Sequence, residues 1–169
     1  IFSKIDVDAL LQDYTRRESK SFYEKRNDEL YALTLPFNNF KLGSPSGLSK
    51  GLYNFNLMSR LTQHVSDVRD FDKLPIPFLC IATDVETGEQ IVLDEGILAQ
   101  AIIASCALPT LYSPVEINGR LLIDGGVVNN YPIEELKNRG IDFIIGIDVQ
   151  DGLKNREQLK DVTAVLSQI

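Results

Sequence analysis

One aspartate in this sequence stands where a catalytic base could be held. Residues 120–132 read RLLIDGGVVNNYP, so three apolar residues lead into Asp124 and two glycines follow it. A carboxylate at the end of a strand can accept a proton from a nearby hydroxyl, and paired glycines allow another segment to approach closely. Asp-Gly-Gly is also common in turns, so the local pattern leaves both a catalytic loop and an idle surface turn open.

The serines offer weaker candidates for a nucleophile. Ser44 and Ser46 lie in the segment GSPSG, whose centre is Pro45 rather than the serine that a nucleophile elbow requires. Ser105 comes near the end of the small-residue segment 96–107, and we interpret it as a structural residue at a helix end. None of these serines is therefore expected to act as the nucleophile.

The remaining titratable residues do not predict a metal site. Cys80 and Cys106 lie in apolar segments without metal-ligand spacing, and we interpret both as buried free thiols. His64, the single histidine, falls late in a predicted surface helix. Asp84 and Asp148 each end an apolar run, where we expect their side chains to bond backbone groups of a turn. We therefore expect no metal ion and no cofactor.

Composition limits the class of protein. The 169 residues are 44% hydrophobic and 24% charged, which suits one globular domain or a large piece of one. The net charge of -7 argues against nucleic acid as a partner, because no basic stripe is present to neutralise phosphates. No apolar run approaches 18 residues, so the sequence predicts no membrane-spanning helix.

Apolar periodicity and turn residues predict alternating helices and strands. A β-hairpin is expected over 30–42, around Asn38-Asn39, and a tight turn at Asn118-Gly119. This alternation is typical of an α/β domain with a largely parallel central sheet and a β-hairpin insertion, and it places Asp124 at the carboxyl edge of a parallel strand. The predicted helices are 5–14, 50–66, 96–107 and 133–139, and the predicted strands are 78–83, 90–93, 121–124 and 142–149.

Five sequence blocks resemble the later motifs of patatin-like phospholipases in order and spacing. The resemblance covers at least residues 70–150 and implies a three-layer α/β/α domain. DGG alone is a weak signal, whereas five ordered blocks are specific. The blocks are DFDKLPIPF (70–78), ATDVETG (82–88), ASCALP (104–109), YSPVEINGRLLIDGG (112–126) and NYP (130–132).

The resemblance implies a serine hydrolase with a Ser–Asp dyad. In that family the serine of G-x-S-x-G is the nucleophile, the aspartate of D-G-G is its partner, and a glycine-rich loop forms the oxyanion hole. Carried over by position, the aspartate is Asp124 and the paired glycines are Gly125 and Gly126. Asn130 and Pro132 would then fix the return path of this loop.

No G-x-S-x-G occurs in these 169 residues. We therefore expect residues 1–169 to be the carboxy-terminal portion of a single patatin-like domain, inactive alone and carrying the aspartate half of the dyad. The leading function is a lipid acyl hydrolase that acts on phospholipids or other lipid esters at a membrane surface. The alternative is a non-catalytic scaffold domain that has lost its nucleophile, and the residues just before Ile1 would decide between them. A phosphate-binding loop is disfavoured, because no lysine or helix-opening glycine pattern accompanies D-G-G.

The amino-terminal part resembles one bacterial subgroup of the family. DVDALLQD (6–13) and RRESKSFYEKRND (16–28) are similar to proteins whose patatin domain is secreted and joined to a carboxy-terminal outer-membrane β-barrel. Charge pattern alone would predict a solvated connector over 15–29. The resemblance implies a place at the outer membrane or on the secreted or periplasmic side, with the cytoplasm as the alternative. It also implies a parent protein that continues past Ile169.

Overall fold

The computed structural model describes residues 37–38, 41–42 and 47–147. Strands β1 (Phe37–Asn38) and β2 (Lys41–Leu42) pair antiparallel, which confirms the predicted hairpin for these four residues. The other residues of 30–42 lie outside the described part of the chain. The predicted helix over 5–14, the two loop serines and Asp148 lie outside the described residues.

Helices and strands alternate through residues 47–147, and the α/β class is confirmed. Each predicted element from 50 to 139 is present, with ends that differ by a few residues. No helix in this part of the chain is long and apolar enough to cross a membrane. In chain order the elements are β3 (Gly47–Ser49), α1 (Leu52–Leu61), β4 (Cys80–Asp84), β5 (Gln90–Leu93), α2 (Leu98–Ser105), β6 (Thr110–Tyr112), β7 (Val115–Ile117), β8 (Arg120–Asp124) and α3 (Ile133–Asn138).

The main sheet has four strands in the order β5-β4-β8-β7, and every neighbouring pair is antiparallel. The prediction of a largely parallel sheet is therefore wrong for these strands. Short turns join β4 to β5 and β7 to β8, whereas a parallel pair needs a long crossover connection. Asn118 and Gly119 form the second turn with φ of 53° and 77°, as their sequence predicts.

The parallel pair in the described part of the chain is β3 with β6, where Gly47 lies opposite Thr110. A Cβ atom at Gly47 would collide with the backbone of Tyr112 and Ser113, so only glycine permits this approach. This pair joins the segment before α1 to the segment after α2.

One face of the main sheet packs under α2. The alanines Ala101 and Ala104 of α2 are buried at 2% and 0% exposure, and their small size brings the helix close to the strands. Residues that share this core are Phe71, Leu74, Ala82, Leu93 and Leu122. The helix thus holds its carboxyl end directly above the inner strands β4 and β8.

The strand predicted over 142–149 is wrong for residues 142–147, which form no strand. Phe143, Ile145 and Ile147 are 77–79% exposed and pair with no described strand. Apolar composition favours a buried strand, but a strand forms only where a neighbouring backbone supplies hydrogen bonds.

Candidate active site

Asp124 ends β8, an inner strand of the sheet, and its backbone is held from two sides. Its N–H donates to the Ala107 carbonyl just after α2 at 3.0 Å. Its carbonyl accepts from the Thr83 hydroxyl of β4 at 2.8 Å. The position of Asp124 is therefore fixed by both the helix and the neighbouring strand.

The carboxylate of Asp124 is half-buried and makes one hydrogen bond within its own loop. Its Oδ1 accepts from Gly126 N–H at 2.7 Å, and its Oδ2 has no hydrogen-bond donor among residues 47–147. An idle surface turn would leave the carboxylate fully solvated, which is not observed, although the single bond is one that a turn also makes. The free Oδ2 is an atom that could accept a proton.

The two glycines have different surroundings. Gly125 is buried against β4, where a Cβ atom would collide with the Ile81 carbonyl oxygen and lie 2.9 Å from the Ile81 Cβ. A Cβ at Gly126 would lie 3.0 Å from one side-chain oxygen each of Asp124 and Asn130. Gly125 thus allows the turn after Asp124 to fold back over β4, and Gly126 separates two polar side chains.

Asn129 anchors the loop that follows the glycines, and the sequence did not distinguish it from its neighbour Asn130. Its amide donates to Gln90 Oε1 of edge strand β5 at 2.6 Å, and its Oδ1 accepts from Tyr131 N–H at 3.2 Å. Gln90 in turn donates to Glu135 of α3 at 2.6 Å. Only the tertiary contact with β5 identifies Asn129, because two consecutive asparagines give no pattern that separates them.

A cavity of about 230 Å³ lies between α1 and α2. Ala107, whose carbonyl accepts from Asp124 N–H, is part of its wall. Asp124, Gly125 and Gly126 do not line this cavity. The apolar part of the wall consists of Met58, Ile102, Ile103, Cys106, Ala107 and Val115.

Both cysteines are free, as predicted, but neither is fully buried. Cys80 is half-buried, and desolvation raises the pKa of its thiol to about 12. Cys106 follows α2 and lines the cavity, and the residue as a whole is exposed. Burial of its thiol and then the negative charge of Asp124 raise the pKa of Cys106. Cys106 is thus a poor nucleophile and a reporter of the Asp124 charge.

Asp124→Asn is expected to lower the pKa of Cys106, because it removes the negative charge that disfavours the thiolate. The rate of Cys106 alkylation by iodoacetamide as a function of pH measures this change, since only the thiolate reacts. Glu116→Gln is a charge-matched control, because Glu116 follows the cavity residue Val115 on β7 and alternates to the opposite face. An equal Cys106 pKa in the variant and the unmodified protein would show that the Asp124 carboxylate does not act on this thiol.

The contacts and positions of the other candidate residues indicate structural roles. Asp84 is buried, accepts from Glu86 N–H at 2.9 Å and lies 3.5 Å from Arg120 Nη1, which confirms its predicted turn role. Ser105 ends α2, as expected of a helix-end residue. His64 is exposed in a short 3-10 turn after α1. No group of three or more His, Cys, Asp or Glu side chains in the described ranges could hold a metal ion.

Comparison with known proteins finds one matching family model and several relatives. The sequence model of the family described as patatin-like phospholipase matches residues 8–137. An uncharacterized NTE family protein of Mycobacterium tuberculosis is 36% identical over 78 residues, which are 46% of this chain and 22% of that protein. Lysophospholipase NTE1 of Candida albicans is 29% identical over 148 residues, which are 88% of this chain and 10% of that protein. The chain therefore spans less than a quarter of the length of these relatives.

Proposed function

This chain belongs to the patatin-like phospholipase family, and we propose that it supplies the aspartate of a Ser–Asp dyad to a lipid acyl hydrolase. The observation that carries the proposal is the placement of Asp124. Its backbone is bonded to β4 and to the residue after α2, its side chain is half-buried, and its Oδ2 accepts no hydrogen bond from residues 47–147. A general base needs this combination of fixed position and an available lone pair.

In the proposed reaction the serine belongs to a part of the parent protein outside these 169 residues. Its hydroxyl proton passes to Asp124 Oδ2 while its Oγ attacks the ester carbonyl carbon. The tetrahedral intermediate then expels the alcohol, which takes the proton from Asp124. Water, deprotonated in the same way by Asp124, attacks the acyl-serine and releases the fatty acid, and the proton on Asp124 returns to the serine Oγ. The bond from Gly126 N–H to Oδ1 holds the carboxylate while Oδ2 exchanges the proton.

A non-catalytic scaffold domain is the second candidate. It is favoured by one observation, that the Asp124 carboxylate bonds only to its own loop within residues 47–147. The residues immediately before Ile1 in the parent protein discriminate the two candidates. G-x-S-x-G within a few tens of residues upstream supports the hydrolase, and its replacement supports the scaffold.

The substrate is proposed to be reached at a membrane surface. Val127, Val128 and Tyr131 follow the paired glycines and are each more than 40% exposed, so apolar side chains flank Asp124. We extend the proposal to a location at the outer membrane or on the secreted or periplasmic side, on the resemblance of residues 6–28 to a barrel-linked subgroup. Fractionation of cells that produce the parent protein tests this, and recovery with the cytoplasm would reject it.

The parent protein is expected to hydrolyse a short-chain nitrophenyl ester, whereas the 169-residue chain alone is expected to show no turnover above background. No G-x-S-x-G occurs in the chain, and the proposal assigns this serine and the glycine-rich oxyanion loop to another part of the parent protein. Without them the tetrahedral intermediate is not stabilised. A serine-directed phosphonate should abolish the activity of the parent protein. Phosphonate-sensitive turnover by the isolated chain would contradict the assignment of the serine to another segment, and an inactive parent would contradict the hydrolase.

A further inference from the structure

We infer that Gln90 and Glu135 position the general base Asp124 from a distance, through Asn129 and the turn that follows the paired glycines, an assignment that rests on the hydrolase function proposed above. Both side chains act through other residues, so they are positioning residues and not catalytic ones.

The turn from Gly125 to Asn129 sets the direction of the Asp124 carboxylate. Within this turn, Asn129 N–H donates to the Gly125 carbonyl at 2.8 Å, and Gly126 N–H donates to Asp124 Oδ1 at 2.7 Å. The start of the turn is fixed by the backbone bonds of Asp124 to β4 and to the residue after α2. Its other end is Asn129, so a displacement of Asn129 would move the N–H group that holds the carboxylate.

Side-chain hydrogen bonds connect Asn129 to the edge of the sheet and to α3. Asn129 Nδ2 donates to Gln90 Oε1 at 2.6 Å, and Gln90 Nε2 donates to Glu135 Oε1 at 2.6 Å. All three residues are half-buried, where hydrogen bonds are stronger than in water. Gln90 is therefore the link that joins the end of the turn to both β5 and α3.

Glu135 determines the direction of these bonds. A carboxylate only accepts hydrogen bonds, so Gln90 must turn its NH2 group toward Glu135 and its oxygen toward Asn129. Asn129 must then turn its own NH2 group toward Gln90, which leaves Asn129 Oδ1 to accept from Tyr131 N–H at 3.2 Å. The carboxylate on α3 thereby selects one orientation for two amide side chains.

The backbone of Gln90 lies in the row of the sheet that also holds the start of the turn. Gln90 pairs with Thr83 of β4, and Thr83 pairs with Ile123 of β8. The hydroxyl of the same Thr83 donates to the Asp124 carbonyl at 2.8 Å. One row of paired residues therefore anchors both ends of the turn, through Thr83 at its start and Gln90 at its end.

Gln90→Ala should lower kcat of the parent protein for a soluble nitrophenyl ester by about tenfold, since a misplacement of about 1 Å can cost up to about a hundredfold. KM should change by less than about twofold, because the proposed role is in the reaction step and not in substrate binding. Gln100→Ala is the matched control, because Gln100 of α2 also donates its side-chain amide, to the Glu116 carbonyl at 3.0 Å, away from the turn. This control should keep kcat and KM.

An exchange of donor and acceptor tests the link directly. Gln90→Glu alone places two carboxylates against each other, and their repulsion should lower kcat by a similar factor. In the double variant Gln90→Glu, Glu135→Gln the net charge is unchanged. The new amide can donate to the carboxylate at position 90, which can still accept from Asn129. Its kcat should return to within about threefold of the unmodified protein, as expected of coupled partners. An unchanged kcat in Gln90→Ala, or no recovery in the double variant, would overturn the inference while leaving the hydrolase intact.

The pKa of Cys106 gives a readout that does not need turnover. Burial and then the negative charge of Asp124 raise this pKa, so a carboxylate that Gly126 no longer holds should raise it less. The pH dependence of Cys106 alkylation by iodoacetamide in the parent protein should therefore move to lower pH in Gln90→Ala and return in the double variant. An unchanged Cys106 pKa in Gln90→Ala would overturn the inference. The shift in a parent protein that hydrolyses no ester would support the positioning role and reject the hydrolase.

Discussion

Asp124→Asn should lower kcat of the parent hydrolase by about a hundredfold or more, the scale on which loss of a general base acts. The asparagine keeps the size of the side chain, and its amide oxygen can still accept the 2.7 Å bond from Gly126 N–H. What it loses is the carboxylate oxygen that would take the serine proton. Steady-state kinetics with a soluble ester measure the change.

The same substitution should change the free energy of unfolding by less than about 1 kcal/mol, because a polar replacement of equal size at a strand end disturbs little. Asp84→Asn is a matched control on the neighbouring strand. Asp84 also ends a strand and accepts a hydrogen bond from a backbone N–H within its own turn. Unlike Asp124, it forms an ion pair, with Arg120. Its kcat should stay within a few fold of the unmodified protein. Near-normal turnover by the Asp124 variant would show that Asp124 is not the general base and that D-G-G is only a turn.

Gly125→Ala should destabilise the protein by about 3 kcal/mol, the upper end of the usual cost of overpacking. The added methyl group would collide with the Ile81 carbonyl oxygen and lie 2.5 Å from the Ile81 carbonyl carbon. Both are backbone atoms of an inner strand, so no side chain can move away to relieve the contact. Thermal unfolding should show a midpoint lower by several degrees, since about 1 kcal/mol shifts a domain of this size by 2–4 °C.

Gly126→Ala is the paired control for this prediction. Its methyl group would lie 3.0 Å from side-chain oxygens of Asp124 and Asn130, and both side chains can rotate. The expected loss of stability is under about 1 kcal/mol, but displacement of the carboxylate should lower kcat. The two variants would thereby show that Gly125 is needed for stability and Gly126 for activity. Equal melting temperatures for the two variants would contradict this separation.

The apolar patterns were sufficient to locate most elements. The small residues of 96–107 predicted a helix that packs closely, and α2 does so through Ala101 and Ala104. The run from Phe78 to Thr83 predicted a strand covered on both faces. It is covered on both, by α2 and by the turn at Gly125, but its neighbours are antiparallel. Burial of both faces makes the residues of a strand apolar. The apolar composition is the same whether the neighbouring strands are parallel or antiparallel.

The candidate site was predictable only in part. Asp124 could be proposed as a candidate because D-G-G is a local motif and four further sequence blocks accompany it in order. Asn129, by contrast, is defined by a hydrogen bond to Gln90, a residue 39 positions away. The cavity depends on side chains of α1, α2 and β7 whose distances no local pattern encodes. The strand predicted over 142–149 failed for the same reason, because pairing is a property of the neighbour.

The parallel pair of β3 and β6 has a consequence for the order of folding. The hairpins β4–β5 and β7–β8 close short loops, whereas Gly47 and Thr110 lie about 60 residues apart along the chain. Closing the longer loop costs about 3 kcal/mol more in conformational entropy than closing the tight β7–β8 hairpin. We therefore expect the hairpins to form early, while the cavity, which borders Gly51 and Tyr112 beside this pair, is completed late. A nascent chain would thus contain the turn at Asp124 before the cavity between α1 and α2 has formed.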